Sequence, residues 1–431
     1  MPPQILSQSC LAVKGFCQTS LKVGFFLAVR QLKRTSKWTT ILIIFIMMFT
    51  FLNLVVVSGI LVGLVEGSSR AYREQYSGDI LITKPANKVF IEKTQEILNI
   101  AGTIDHVKAY TLRYLQGGQL EANYRTKTNP NDLPDRVPAQ IVGINPQEED
   151  KVTKLSQLVI AGNYLEPDDE GQVLVGSTLL AEYSRGVPGL ETLANVSVGS
   201  RVRVLVGGIT KEVTVKGVVK SKIGEVGRRV YFVDRELRKI LSRLDFNGQE
   251  ISFKIGDDAT PEHVKESFLA SGIDPKNVLV QTWEESQGQF FKDIGSTFSI
   301  LGTAIGSIAL VVASITIFIV IFINAVTRRK FIGILKGIGI CSSAIQISYL
   351  IQSIFYALVG TVVGSAIIFL LLKPYIDANP IDFPFSDGLL VAPLNTTMWR
   401  AGILLLITLI AGYLPARMII KKNTLDSILG R

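Results

Sequence analysis

Histidine and cysteine are almost missing from this chain of 431 residues, which holds two of the first and three of the second. His106 and His263 stand far apart with no ligand-like spacing, so they read as surface or structural residues and not as a metal centre. The cysteines, Cys10, Cys17 and Cys341, fall in segments expected on the cytoplasmic side, which leaves no pair for a disulfide outside. No G-x-x-x-x-G-K-[ST] loop occurs, so the chain does not cradle ATP phosphates in the usual way. Ser177 and Ser184 lack a nucleophile-elbow setting. The acidic runs Glu148-Glu149-Asp150 and Asp168-Asp169-Glu170 read as solvated loop or cap charges. The expectation is a non-enzyme with no metal or cofactor of its own.

Charge is also missing where the chain is most apolar. Hydrophobic residues make up 48% of the sequence and mean hydropathy is +0.35, yet they are concentrated in runs at 38–64, 294–326, 345–372 and 399–420. Each run reaches the roughly 20 residues that cross a bilayer at about 1.5 Å per residue. None carries an acidic or basic residue near its centre, which argues against a proton relay or an ion-coupled carrier. The first run is too long for a signal-peptide core and no A-x-A-type site follows it, so it reads as an uncleaved anchor. Gly59 and Gly63, Gly302 and Gly306, and Gly360 and Gly364 stand four apart in three runs, the spacing that lets helix backbones approach in lipid. Asn53, isolated among apolar residues, is expected to make an interhelical hydrogen bond.

What is abundant is positive charge, 45 Lys and Arg against 36 Asp and Glu for a net +9. It does not mark a nucleic-acid partner, because it sits at the margins of the apolar runs: Lys22, Arg30, Lys33, Arg34 and Lys37 before the first, Arg417, Lys421 and Lys422 after the last. Anionic membrane lipid is the natural partner. The positive-inside rule then gives one arrangement in the cytoplasmic (inner) membrane, with both termini cytoplasmic. A tail and interfacial helix occupy 1–37 and the first span 38–64. An extracytoplasmic domain fills 65–292, followed by the second span at 293–326 and a cytoplasmic helix at 327–344. The third span is 345–372, an acidic outer loop with Asp377, Asp382 and Asp387 fills 373–398, the fourth span is 399–420, and 421–431 form a tail.

Within the outer domain a strand at 78–82, a helix at 88–100 and a strand at 107–115 are expected. The same order returns at 250–255, 260–271 and 278–281. Between them, from about 144 to 222, short β-branched runs broken by Gly predict a β-rich insert. Pro130, Pro134 and Pro138 mark an exposed loop. The fold class expected is four transmembrane α-helices plus a large α+β domain, a split β-α-β subdomain holding an inserted β-rich subdomain.

The chain is organised around T-R-R-K-F-I-G-I-L-K-G-I-G at 327–339, a basic stretch between two spans. Ile332, Leu335, Ile338 and Ile345 fall near helical spacing, so an amphipathic helix at the headgroups is expected; a plain topogenic loop is the alternative. The stretch resembles the R-R-K-E-I-G-I-L-K-A-L-G segment of FtsX-like ABC transporter permeases of the MacB and LolC/LolE type. I-V-G-I-N-P-Q-E-E at 141–149, L-V-I-A-G-N-Y-L at 158–165 and V-L-V-G-S-T-L-L-A at 173–181 resemble their outer domain. G-Y-L-P-A-R, with Pro415 and Arg417, followed by T-L-D-S-I-L resembles their closing segment, although Ser427 stands where the family has Pro.

The resemblance implies a permease subunit with a separate cytoplasmic ATPase that carries the ATP and Mg. It docks on a coupling helix containing Arg328, Arg329, Lys330, Gly333, Leu335, Lys336 and Gly337. It further implies a second permease chain and mechanotransmission, by which ATP hydrolysis extrudes or releases a lipoprotein, peptide or hydrophobic substrate outside the membrane. A periplasmic chaperone or adaptor is a further implied partner. An FtsX-like regulator of cell-wall hydrolases and a membrane-anchored scaffold without ATP coupling stay open as alternatives.

Overall fold

The computed structural model describes residues 20–125, 135–184, 191–274, 277–383 and 386–420. The expected tail with Cys10 and Cys17, the loop prolines Pro130 and Pro134, and the closing tail with Lys421 and Lys422 lie outside the described residues. The chain forms two units: Met1–Leu64, Gly295–Ile381 and Gly388–Arg431 make one, Val65–Ile294 and Asp382–Asp387 the other.

The first unit holds helices long and apolar enough to cross a membrane, within Lys37–Ser77, Lys292–Ile323, Ser342–Ala378 and Leu394–Met418. No charge interrupts residues 38–65, 294–327, 342–372 or 401–416, so each of these stretches can satisfy its own backbone as a helix in a hydrocarbon layer. The glycine pairs do three different things. A Cβ added at Gly360 would lie 2.7 Å from Met47 Cβ, and one at Gly364 2.8 Å from Phe51 Cδ1, so the third helix meets the first at backbone distance. At Gly302 and Gly306 the nearest atoms of the first helix would be 3.7 and 3.4 Å away, an ordinary contact. Gly59 and Gly63 instead seat an extended segment: Val391 N–H donates to the Gly59 carbonyl at 3.2 Å, and a Cβ at Gly63 would collide with the Leu389 carbonyl. Asn53 lies on the exposed side of its helix, with no hydrogen bond among the described residues, in place of the interhelical bond expected.

In the second unit β1 (Ile80–Thr83), β2 (Val107–Ala122), β9 (Glu250–Ile255) and β10 (Leu279–Thr282) form an antiparallel sheet in the order β10-β1-β9-β2. Helices Thr94–Ala101 and Pro261–Ala270 cover it, packing Ile97, Val264 and Phe268 on Ile80, Ile251 and Phe253. Two β-α-β units separated in sequence therefore share one sheet, as the split pattern predicts. Pro261 sits at the first helical position, where its missing N–H costs nothing.

The insert is a barrel. The second half of β2 pairs with β3 (Asp135–Ile144) on one side and β6 (Arg201–Val206) on the other. The ring continues through β8 (Arg229–Val233), β5 (Gln172–Gly176) and β7 (Ile209–Val219), which returns to β6; β4 (Val159–Gly162) lies along β7. Closure leaves the ring strands no free edge. The insert is thus larger than 144–222, because β2 runs through both sheets. Residues 135–138 open β3 instead of extending the proline-marked loop: Val137, Ala139 and Ile141 alternate into the barrel interior while Arg136 and Pro138 face out. Residues 196–198, one of the β-branched runs expected as strands of the insert, form no strand, and the helix expected at 88–100 starts only at Thr94.

Candidate functional site

The basic stretch folds as a helix, Arg329–Gly337, between the second span helix, Gly288–Thr327, and the third, Ser342–Ile367. Gly339 stops it. Its φ of +92° is open to glycine at little cost, and it closes a Schellman turn in which Ile340 N–H donates to the Leu335 carbonyl and Gly339 N–H to that of Lys336, both at 3.0 Å. Ile340 then packs with the core that contains Leu335.

This helix has two apolar faces of different use. Ile332 and Leu335 are buried in the bundle core, and Gly333 is buried with them. Phe331, Ile334 and Ile338 are 47%, 52% and 71% exposed, so Ile338 does not share the inward face with Ile332 and Leu335. Ile345 belongs to the third span and is fully buried. Lys330 and Gly337 are exposed, Lys336 is half-buried, and Arg329 opens the helix. Arg328 precedes it and donates from Nη2 to Thr35 Oγ1 at 3.0 Å. Of the expected docking set, Gly333 and Leu335 therefore hold the helix to the bundle, while Phe331 and Ile334, not singled out from the sequence, are exposed. In the fourth span helix, Leu394–Ile420, Pro415 is internal and buried, and Arg417 is exposed with its guanidinium 5.9 Å from the Tyr413 ring.

A helix at residues 20–34 braces this region. Gly24, Leu27, Ala28 and Gln31 recur at helical spacing and are buried. A Cβ on Gly24 would lie 2.7 Å from Ile347 Cγ2, and Gln352 Nε2 donates to Gln31 Oε1 at 2.6 Å. The opposite face, with Leu21, Phe25 and Phe26, is exposed.

The second unit contains a buried charge network at the junction of its sheet and barrel. Thr111 and Arg113, two apart on β2, point the same way, and both reach Glu149: Thr111 Oγ1 donates at 2.8 Å and Arg113 Nη2 at 2.7 Å. The sequence Asn145-Pro146 starts the helix Pro146–Thr153, with the Asn145 side chain accepting from the backbone of Gln147 and Glu148, and this turns Glu149 inward. Glu149 is thus buried and paired, and not the solvated charge expected from its acidic neighbours.

Arg113 also reaches Glu250 at 3.3 Å, Arg229 of β8 reaches the same carboxylate at 3.1 Å, and Tyr76 Oη donates to it at 2.8 Å. Tyr76 lies in the turn of helix that continues the first span helix, and both guanidiniums stack on its ring, at 5.4 and 4.9 Å. Burial alone would raise the Glu149 and Glu250 carboxyls; the guanidiniums beside them and the hydroxyls bonded to them outweigh burial and hold both below the ordinary carboxylate value. Beside this network a cleft of about 420 Å³ is lined by Lys84, Gln116, Gln140, Gln249 and Glu250. No group of three or more His, Cys, Asp or Glu among the described residues can hold a metal ion.

The chain resembles known proteins along most of its length. The family model of the MacB-like periplasmic core domain matches residues 45–271, and that of the FtsX-like permease C-terminal region matches 303–424. An ABC transporter permease, YtrF of Bacillus subtilis (strain 168), is 26% identical over 237 residues, 51% of either chain. The macrolide export ATP-binding/permease protein MacB 1 of Yersinia pestis bv. Antiqua is 26% identical over 172 residues, 39% of this chain and 23% of the relative. The chain thus spans about half the length of the first and under a quarter of the second. The crystal structure of the periplasmic region of MacB from Actinobacillus actinomycetemcomitans covers 51% of this chain and 95% of its own, at 15% identity and a TM-score of 0.35. With one model covering more than half of the sequence and the other the last spans, the chain belongs to the ABC transporter permeases that join a MacB-like periplasmic core domain to an FtsX-like permease region.

Proposed function

We propose that the chain is the membrane subunit of a transporter driven by a separate cytoplasmic ATPase, which docks on the helix Arg329–Gly337. The observation that carries this reading is the division of that helix: Ile332, Gly333 and Leu335 clamp it to the spans, leaving Ile334 and Ile338 as an apolar strip, with Lys330 and Gly337, for a partner. A short stiff element held between two spans passes displacement to them. Two such chains, each with an ATPase binding ATP and Mg, make the working unit. The domain of residues 65–292 lies outside the membrane and changes shape to hand over or extrude a substrate there, a lipoprotein, a peptide or a hydrophobic molecule. The relative named for macrolide export supports the last of these. A chaperone or adaptor on the outer side would take the cargo onward, and anionic lipid surrounds the basic edge.

Affinity purification of the full chain from membranes tests this. The expected result is a stoichiometric protein carrying a P-loop, whose ATP hydrolysis is lost together with its capture in Ile334→Asp/Ile338→Asp. Gly333→Arg and Leu335→Asp are unsuited to the test because both positions are buried and would disturb the bundle. Capture unchanged in the double variant, or no ATPase in the complex, overturns the docking role.

A further inference from the structure

The braced region contains a cleft of about 280 Å³ lined by Leu27, Arg30, Gln31, Arg34, Arg328 and Phe331. Three arginines from two segments far apart in sequence thus line one space, with Leu27, Gln31 and Phe331 as its other walls. Arg328 is oriented by Thr35, Arg30 lies 6.0 Å from the Phe26 ring, and Gln31 is locked by Gln352. Among the described residues no carboxylate neutralises them. The sequence has no Asp or Glu between residues 1 and 65, and none between 294 and 376. Among the described residues no ion pair involves Arg30, Arg34 or Arg328. Asp377 and the acidic loop after it follow the third span helix at its far end, and Asp426 lies outside the described residues. Among the described residues the cleft therefore has no anion to balance it.

We propose that the cleft is a binding site for the phosphodiester headgroup of an anionic phospholipid. Guanidiniums match phosphate oxygens with paired, charge-assisted hydrogen bonds. The apolar surroundings favour a lipid over a soluble anion. Leu27 and Phe331 wall the cleft, and Leu21, Phe25, Phe26 and Trp38 are exposed on the same helix and just after it, a surface for acyl chains at headgroup depth. A bound lipid would tie the helix at 20–34 to the start of Arg329–Gly337 through its phosphate, filling the gap between Arg34 and Arg328 with charge of the right sign. This goes beyond ATPase docking and does not depend on it.

The test uses the full chain, purified and stripped of lipid in non-ionic detergent, and native mass spectrometry of lipid retained on titration with dioleoyl-phosphatidylglycerol, dioleoyl-phosphatidylcholine or inorganic phosphate. One equivalent of phosphatidylglycerol is expected to be held selectively. Affinity falls about fivefold for each guanidinium removed and on the order of a hundredfold in Arg30→Gln/Arg34→Gln/Arg328→Gln. Lys22→Gln/Lys33→Gln/Lys37→Gln removes equal charge from the same edge and is expected to keep the lipid. Because the triple arginine variant could unfold, Arg34→Gln, exposed and checked by thermal denaturation, serves as the folded case. Equal retention of the two lipids overturns the proposal, as does equal loss in the lysine and arginine variants. Competition by millimolar phosphate assigns the cleft to a soluble anion, and loss of ATPase capture with lipid retention unchanged assigns it to a partner carboxylate; either result also overturns it.

Discussion

Gly360 and Gly302 are the same residue type at the same helical spacing, yet they should answer substitution oppositely. A methyl group at Gly360 meets Met47 Cβ at 2.7 Å and the Met48 backbone nitrogen at 2.9 Å, so the facing helix must move. Gly360→Ala should cost about 1–3 kcal/mol, the usual price of overpacking. At Gly302 the nearest atoms are 3.7 Å away, and Gly302→Ala should be neutral or stabilising by up to about 1 kcal/mol. Thermal denaturation of the full chain in detergent compares the two, and equal destabilisation would contradict the packing described here.

The buried carboxylates give a second residue-scale test. Glu149 and Glu250 titrate below their unfolded values, so on acidification the unfolded chain takes up protons first. Their stabilisation is complete above the ordinary carboxylate value and is lost as pH falls through the lower folded-state values. Glu149→Gln leaves Arg113 with one carboxylate partner and should cost about 3–5 kcal/mol at neutral pH. The acid dependence of stability should flatten in the same variant, which hydrogen exchange of the domain across that pH range would show; an unchanged acid profile would remove the network from the account.

At the scale of elements, the helix Arg329–Gly337 shows what a sequence discloses and what it hides. Its position between two spans is a local fact, legible from hydropathy, whereas its bounds are narrower than the 327–344 expected, because Gly339 turns the chain out of the helix. Which apolar residues face the bundle is not legible, because Ile332, Ile334, Leu335 and Ile338 are chemically alike and the answer lies in where the neighbouring helices pack. Leu335→Asp buries a charge and should cost several kcal/mol, whereas Ile334→Asp should change stability by less than about 0.5 kcal/mol. Comparable melting of the two variants would reverse the face assignment.

The outer domain divides in the same way. The split β-α-β order is readable because each strand and helix carries its own periodicity. The barrel was only partly readable, since β3 hides its alternation behind Arg136 and Pro138, and β2 serves two sheets in one continuous strand. Glu149 looked solvated beside Glu148 and Asp150 because only the long-range meeting of β2 with the helix Pro146–Thr153 makes it internal.

At the scale of the whole molecule, the boundary between the two units falls in sequence within the helix Lys37–Tyr72, and the turn after that helix carries Tyr76, which bonds Glu250. Under the proposed function, Tyr76 and its bond to Glu250 are the point at which motion of that helix is expected to enter the domain. Tyr76→Phe, which removes the hydroxyl bond to Glu250 and keeps the ring, should preserve ATPase capture while weakening transport per ATP hydrolysed. Unaltered coupling would mean that motion enters the domain elsewhere.

All of this requires the linker helix and the large domain to face opposite sides of the membrane. In a chain freed of Cys10, Cys17 and Cys341, single cysteines are placed by Ile334→Cys on the linker helix and by Leu244→Cys, which is 99% exposed in the domain. A membrane-impermeant maleimide applied to intact cells, or to spheroplasts where an outer membrane is present, should label the Leu244→Cys chain at once and the Ile334→Cys chain only after the cytoplasmic membrane is opened. Labelling of Ile334→Cys in sealed cells would place the linker helix away from ATP and contradict the account.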